Sequence, residues 1–229
     1  RAGVDMVFVS SNADLQRESA AAALAAAESG SIDVRELDGS AERILRAKER
    51  WIHPAGPESD GRAEDFAAAA RMAREAVTAV RGKACRASEK TFFCGCADYR
   101  MTQASNADPE AKAFPEYMGT RFGAKFAVCS KDPDEKEIAE LVKCADGAEN
   151  IIFSSCNAHL FRGQLALAAA LAEKGVPMTV AALRNPYDLP LMPENAALLA
   201  AFDYSRDSLA ALADVFSGGD CCGVMPAAL

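Results

Sequence analysis

The sequence has no Cys-x-x-Cys pair, although it holds eight cysteines, at 85, 94, 96, 129, 144, 156, 221 and 222. That spacing argues against a zinc ribbon or a thioredoxin-type site. No strand-like run ends in Gly-x-Gly-x-x-Gly or in the phosphate-cradling Gly-x-x-x-x-Gly-Lys-Ser/Thr, so a nucleotide cofactor has no support. No apolar run reaches the roughly 18–20 residues of a membrane span. Positive charge is short: 25 Lys and Arg against 33 Asp and Glu leave a net charge of −8, which argues against nucleic acid or an anionic membrane as partner. Histidine is scarce, with only His53 and His159. Metal sites need clustered His or carboxylate ligands. The expectation is therefore no metal and no cofactor.

What is present is apolar. Half of the 229 residues are hydrophobic, enough for one large domain or one domain plus a fragment. Alanine runs at 20–27, 67–70 and 166–172 read as helix. Cys94, Cys129 and Cys156 sit in apolar, strand-like runs, where cysteine behaves as a small buried hydrophobe. Read as reduced core residues, they favour a reducing compartment such as the cytoplasm, with secretion left open as the alternative. The chain opens at Arg1 and not at Met, which reads as a piece of a longer protein whose targeting information lies elsewhere.

Residues 3–10, GVDMVFVS, read as a short buried strand. Asn12 or Asp14 caps a helix over about 15–28 that stops at Gly30. A second helix over about 37–51 carries an apolar stripe of Leu37, Ala41, Ile44, Leu45 and Ala47, with Arg43, Arg46, Lys48, Glu49 and Arg50 mostly solvated. Composition then shifts. Residues 53–63 hold two prolines and two glycines and read as a linker, followed by an Ala-rich helix over about 64–80.

From residue 90 a rhythm sets in. Strands are expected at 90–96, 124–130, 150–156, 176–183 and 197–203, with helices at 115–122, 134–145, 161–175 and 208–216. Apolar strands alternating with helices indicate βαβ units and a parallel sheet. The strands lack clean polar alternation, which fits a sheet covered on both faces. The expected fold class is α/β: a doubly wound three-layer α/β/α sandwich with a mostly parallel sheet. The opening strand and two helices do not fit that sandwich, because one strand has no sheet of its own.

Several stretches, in order, resemble glycoside hydrolase family 3. AGVDMVFVS at 2–10 is similar to the family's last barrel strand, "aGaDmvl". IDVRELDGSAERILRAKERW at 32–51 matches "i…rid.sv.RIL..K", with Leu37, Arg43, Ile44, Leu45 and Lys48 in register. EDFAAAARMAREAVTAVRGK at 64–83 resembles the helix that opens the family's second domain. ALADVFSGGDCCGVMPAAL at 211–229 resembles "alaDvLfGd.nPsGkLPvt", with Asp214, Val215, Gly218, Gly223 and Pro226 matching. It departs where Cys221 and Cys222 replace Pro-Ser and where Met225 replaces Leu. RNPYDL at 184–189 resembles the beta-N-acetylhexosaminidase branch.

The resemblance implies a (β/α)8-type barrel followed by an α/β sandwich. Residues 1–52 would be the terminal βα unit of an otherwise absent barrel, 53–63 the linker and 64–229 the C-terminal sandwich domain. It also implies a retaining glycosidase that releases terminal β-linked N-acetylglucosamine from cell-wall fragments or similar glycans. Such an enzyme needs a carboxylate nucleophile and a proton donor. In this branch they are an Asp on a "VvSDal.M" strand end and a His–Asp pair on a loop after "KHFPGHG". Neither motif occurs here, so no catalytic residue is assigned and the chain alone is expected not to turn over glycosides. Its expected partner is the N-terminal barrel, with a glycan as ligand.

Active sites of such barrels lie at the carboxyl ends of the strands. That places Ser10, Ser11 and Asn12 on the rim, where Asn12 either meets a sugar hydroxyl or caps the helix after it. AALRNPYDLP at 181–190 raises a second question, since a buried strand ends there in a polar, proline-broken loop. Arg184, Asn185, Tyr187 and Asp188 follow a sheet strand, where ligands of doubly wound folds bind. A Tyr face and an Arg fork suit sugar or carboxylate recognition. Docking of the loop is the first expectation and sugar contact the second. His53 and His159 read as hydrogen-bonding loop residues. A Cys–His hydrolase at Cys94 and Cys96 lacks the nucleophile elbow. A different class of function stays open: a non-catalytic α/β carbohydrate-binding or assembly module.

Without a barrel, Val4, Met6, Phe8 and Val9 are expected to lose their neighbours, leaving that strand poorly packed or the chain self-associated.

Overall fold

The computed structural model describes residues 3–9, 12–52, 62–97, 112–226 and 228. The described residues divide into two compact units, 3–52 and 62–228. The expected linker 53–63, with His53, lies almost wholly outside them, as do Ser10 and Ser11.

The first unit is two helices, α1 (Ala13–Glu28) and α2 (Val34–Trp51), behind a segment without ladder pairing at residues 3–9. The expected strand at 3–10 is therefore not a strand among the described residues. A strand needs a neighbour for its backbone groups, and this unit offers none. Each helix starts where a side chain satisfies free amides. Asn12 Oδ1 accepts from Asp14 N and Leu15 N, both at 3.0 Å, and Asp33 accepts from Arg35 N at 3.0 Å. Arg43, mostly solvated as expected with 59% of its side chain exposed, also grips Asp5 through Nε at 2.8 Å and Nη2 at 2.6 Å, while Ser40 Oγ donates to Asp5 at 2.7 Å. Those bonds hold the Asp5 carboxyl at about 2, below the usual carboxylate range. No described residue of this unit is buried. Phe8 is 95% exposed, and the α2 stripe leaves Leu45 and Trp51 in the open.

The second unit begins with α3 (Arg62–Ala76) and a six-stranded sheet: β1 (Thr78–Arg81), β2 (Thr91–Cys96), β3 (Lys125–Cys129), β4 (Asn150–Ser155), β5 (Met178–Ala182) and β6 (Ala197–Ala200). The order is β1-β6-β5-β4-β2-β3, with only β1 antiparallel. The helices α4 (Phe114–Phe122), α5 (Glu135–Cys144), α6 (Arg162–Ala172) and α7 (Arg206–Phe216) connect them. This is the mostly parallel α/β sandwich expected from the alternation of apolar runs.

One expectation failed at its start. The helix expected over 64–80 ends at Ala76, and after Val77 the chain enters the edge strand at Thr78. Thr78 pairs with Ala200 and Ala79 with Leu199. β-branched side chains are stiff in a helix and fit a pleated surface, and pairing with β6 decides the contest.

Strand parity explains why polar alternation is missing. Phe92, Cys94, Ile151, Phe153, Val180 and Leu198 point to one face, where they meet Leu141 of α5 and Leu167 and Leu171 of α6. Phe93, Ile152, Ala181, Leu183 and Leu199 point to the other, against Phe114 and Met118 of α4 and Leu212 and Phe216 of α7. Phe114 makes edge contacts at 6.3 Å with both Phe93 and Phe216. Along β2, β4 and β5 both faces are buried, so both parities must be apolar there. Near the carboxyl end of the sheet β2 and β4 approach so closely that a Cβ on Gly95 would stand 1.9 Å from Ser154 Oγ. Glycine is required there.

Candidate functional site

The sheet reverses its winding between β2 and β4, since β3 lies to one side of β2 and the later strands to the other. In such sheets the loops beyond the carboxyl ends of the strands are the place where ligands bind. The loops after β4 and β5 lie side by side there, because these two strands are neighbours.

The first loop leaves Ser155 and reaches α6 through Cys156, Asn157, Ala158, His159, Leu160 and Phe161. Asn157 is buried and sits at φ +55°, the left-handed region that Asn tolerates better than most residues. Its carbonyl accepts from Leu160 N at 2.9 Å and Phe161 N at 3.2 Å, which closes the turn. Gln164, fully buried, locks the base of the loop. Its Oε1 accepts from Cys156 N at 3.0 Å, and its Nε2 donates to Cys156 O at 3.2 Å and to Lys131 O at 2.9 Å.

The second loop follows β5. Arg184 and Asn185 lead into a 3-10 turn, Pro186–Leu191, with proline at its first position, where no amide donor is needed. Asn185 Nδ2 donates to Asn157 Oδ1 at 2.7 Å, joining the two loops. Asp188 is completely buried. Its Oδ1 accepts from His159 N at 3.0 Å and is 2.7 Å from His159 Nδ1. Its Oδ2 is buried without a hydrogen-bond partner. The contact pairs Nδ1 with Asp188 and leaves Nε2 out of it, with donor and acceptor set by the tautomer. The imidazole side chain is 25% exposed. It meets Tyr187 edge-on, with centroids 6.2 Å apart, and Tyr187 is 59% exposed. Burying a carboxylate costs several kcal/mol unless donors face it, and here the His159 amide and ring both face Oδ1. Arg184 lies with Cζ 5.9 Å from the Tyr204 ring, and its Nη1 is buried without a partner.

Of the residues singled out from the sequence, Asn185, Tyr187 and Asp188 come together in one place, and Arg184 sits beside them at the base of the same turn. Asn12 belongs to the first unit, where its Oδ1 caps α1. Ser11 lies outside the described residues. One residue of the site, Asn157, carries no expectation from the sequence. His159, read as a hydrogen-bonding loop residue, does bond, through its amide and Nδ1, and its partner is Asp188. A signal existed: 157–161 and 184–188 each follow a parallel strand, and strands consecutive in such a chain tend to be neighbours. Among the described residues no group of three or more His, Cys, Asp or Glu is arranged to hold a metal ion, and no helix is long and apolar enough to cross a membrane.

No family model and no curated protein matches this sequence. Solved structures do. A glycoside hydrolase family 3 beta-N-acetylglucosaminidase from Paenibacillus sp. strain FPU-7 superposes on 98% of the chain with a TM-score of 0.76 and 26% identity, and the match covers 45% of that enzyme. A fungal multi-domain family 3 beta-N-acetylglucosaminidase, described with a GCN5-related glucosamine N-acetyltransferase region, matches 95% of the chain with a TM-score of 0.68 and 19% identity, over 26% of its own length. A beta-glucosidase from Listeria innocua matches 85% of the chain at a TM-score of 0.58 and 13% identity, over 32% of its length. The last two are likenesses of fold. This chain thus spans less than half the length of each of these proteins.

Proposed function

We propose that this chain is the closing part of a retaining family 3 glycoside hydrolase that releases terminal β-linked N-acetylglucosamine. The resemblance read from the motifs and the likeness of the solved structures point to the same family. The carrying observation is the match to the Paenibacillus enzyme, which runs over 98% of the chain and so takes in both units. In this reading residues 1–52 are the part that completes a barrel, and 64–229 are the second domain.

Physical chemistry supports this division. The α2 stripe is amphipathic, yet Leu37, Leu45 and Trp51 stand exposed. An apolar helix face of that kind is built to pack on something. The same holds for Val4, Met6 and Phe8, which no strand partner covers within their unit. The rest of a barrel is the partner that suits both. The loop Arg184–Asp188 then serves docking on that barrel or contact with the glycan.

Retention needs an attacking carboxylate and a proton donor that later acts as base. Neither the Asp-bearing strand end nor the His–Asp loop of the branch occurs in the 229 residues. The chain alone is therefore expected to leave a chromogenic N-acetyl-β-glucosaminide intact, and turnover above a heat-killed control overturns that. The decisive reading is the coding sequence ahead of Arg1. A barrel carrying both motifs is expected, and the longer product should hydrolyse the glycoside. An unrelated sequence there overturns the proposal and favours the non-catalytic binding or assembly module.

A further inference from the structure

The geometry points to a saccharide-binding site within the second unit, formed where the loops after β4 and β5 meet. Three observations converge on it. Tyr187 is exposed for 59% of its surface in a turn that buries the two residues after it, Asp188 and Leu189. An exposed aromatic face on a rigid base is a stacking surface for the C–H edge of a pyranose ring. Beside it, His159 is not a freely rotating loop side chain. Its backbone and its Nδ1 both bind Asp188 Oδ1, at 3.0 and 2.7 Å, so its ring is held edge-on to Tyr187. With Nδ1 directed inward, Nε2 is the nitrogen that faces a ligand hydroxyl.

The third observation is the base of the site. Asp188 is wholly buried and its Oδ2 has no partner. Asn157 is held at a left-handed φ by the turn, and Asn185 ties its amide to the neighbouring loop at 2.7 Å. A connecting turn does not require a buried carboxylate. Arrangements of this kind persist where a site holds its groups in one geometry before the ligand arrives. Asp188 and Asn185 act here as positioning residues, while Tyr187 and His159 touch the sugar.

The choice of an amino sugar as ligand rests on the family 3 reading; the site itself does not. N,N′-diacetylchitobiose is the probe, with cellobiose for comparison, added to the full 229-residue chain. The chain has two histidines, so imidazole NMR signals are few, and a His53→Gln variant assigns them. Saturable displacement of the His159 signals by millimolar chitobiose is expected. Tyr187→Ala should weaken it at least tenfold, and Tyr187→Phe, which keeps the face, should retain it. Tyr187 is exposed, so an unchanged thermal melt separates lost binding from lost fold. No displacement of the His159 signals by either sugar overturns the inference, as does binding that Tyr187→Ala leaves intact. Either failure leaves the family assignment standing, because that rests on the coding sequence and on turnover by the longer product.

Discussion

The two units use the same means to make helices and arrive at opposite degrees of burial. In residues 3–52 both helices are capped by side chains, and an amphipathic stripe is present, yet no described residue is buried. In the second unit the same devices enclose Phe92, Phe93, Ile151, Ile152, Phe153 and Phe216 to 1% exposure or less. Capping and patterning decide that a helix exists. They do not provide the second surface that turns an apolar stripe into a core.

The composition supplies separate probes for each side of this comparison. Trp51, the one tryptophan, lies in the first unit, and all eight cysteines lie in the second. The largest expected contrast is in thiol labelling. The reactive species is the thiolate. Burial pushes the Cys129 thiol up to about 12 from 9.0, three pH units, or about a thousandfold less thiolate. Cys94 is pushed up in the same direction by its own burial. Cys222 is exposed and should label first, with Cys94 and Cys129 silent until the sandwich unfolds. Mass spectrometry after timed alkylation reads the order. Early labelling of Cys129 would show the core to be open.

Next in size is a pair of truncations. Phe153→Ala removes a fully buried ring and should cost about 3–5 kcal/mol in urea unfolding followed by thiol exposure. Leu45→Ala, at a site 58% exposed, should change stability by less than about 0.5 kcal/mol. A large effect at Leu45 would mean that the stripe is covered in solution, as self-association would do, and sedimentation would then detect the oligomer.

A smaller effect is expected at the base of the candidate site. Asp188→Ala leaves the His159 amide and Nδ1 without their acceptor and should cost about 1–3 kcal/mol. In the parent chain, nitrogen NMR should find neutral His159 protonated at Nδ1, the less common tautomer, and the variant should lose that preference. A parent spectrum with the proton on Nε2 refutes the pairing.

The smallest is in the first unit. Hydrogen bonds from Arg43 and Ser40 lower the Asp5 carboxyl to about 2. A folded-state value below the unfolded one means the contact favours folding above the ordinary carboxylate range, near 4, and fades as pH falls towards 2. NMR titration of the Asp5 carboxyl should give a midpoint of about 2, and Arg43→Ala should return it towards the ordinary range. A midpoint near 4 in the parent chain would show that the grip of α2 on this segment does not exist in solution.

Most of the second unit was readable along the chain. Every strand from β2 onwards and every helix from α4 onwards was expected within a few residues, because each is a local pattern: a short apolar run, a helical period, a cap. The acidic Asp134 and the hydroxyl of Ser205, for example, stand where they cap α5 and α7. Tertiary structure alone decided three things. Residues 78–81 became strand because β6 offered an edge, although the residues before them form a helix. Residues 3–9 did not become strand because no partner stands beside them in their unit. Asp188 met His159, 29 positions away, because β4 and β5 are adjacent. In all three the deciding energy comes from groups distant in sequence, through ladder bonds or burial, and a local pattern carries no record of which distant group will be there.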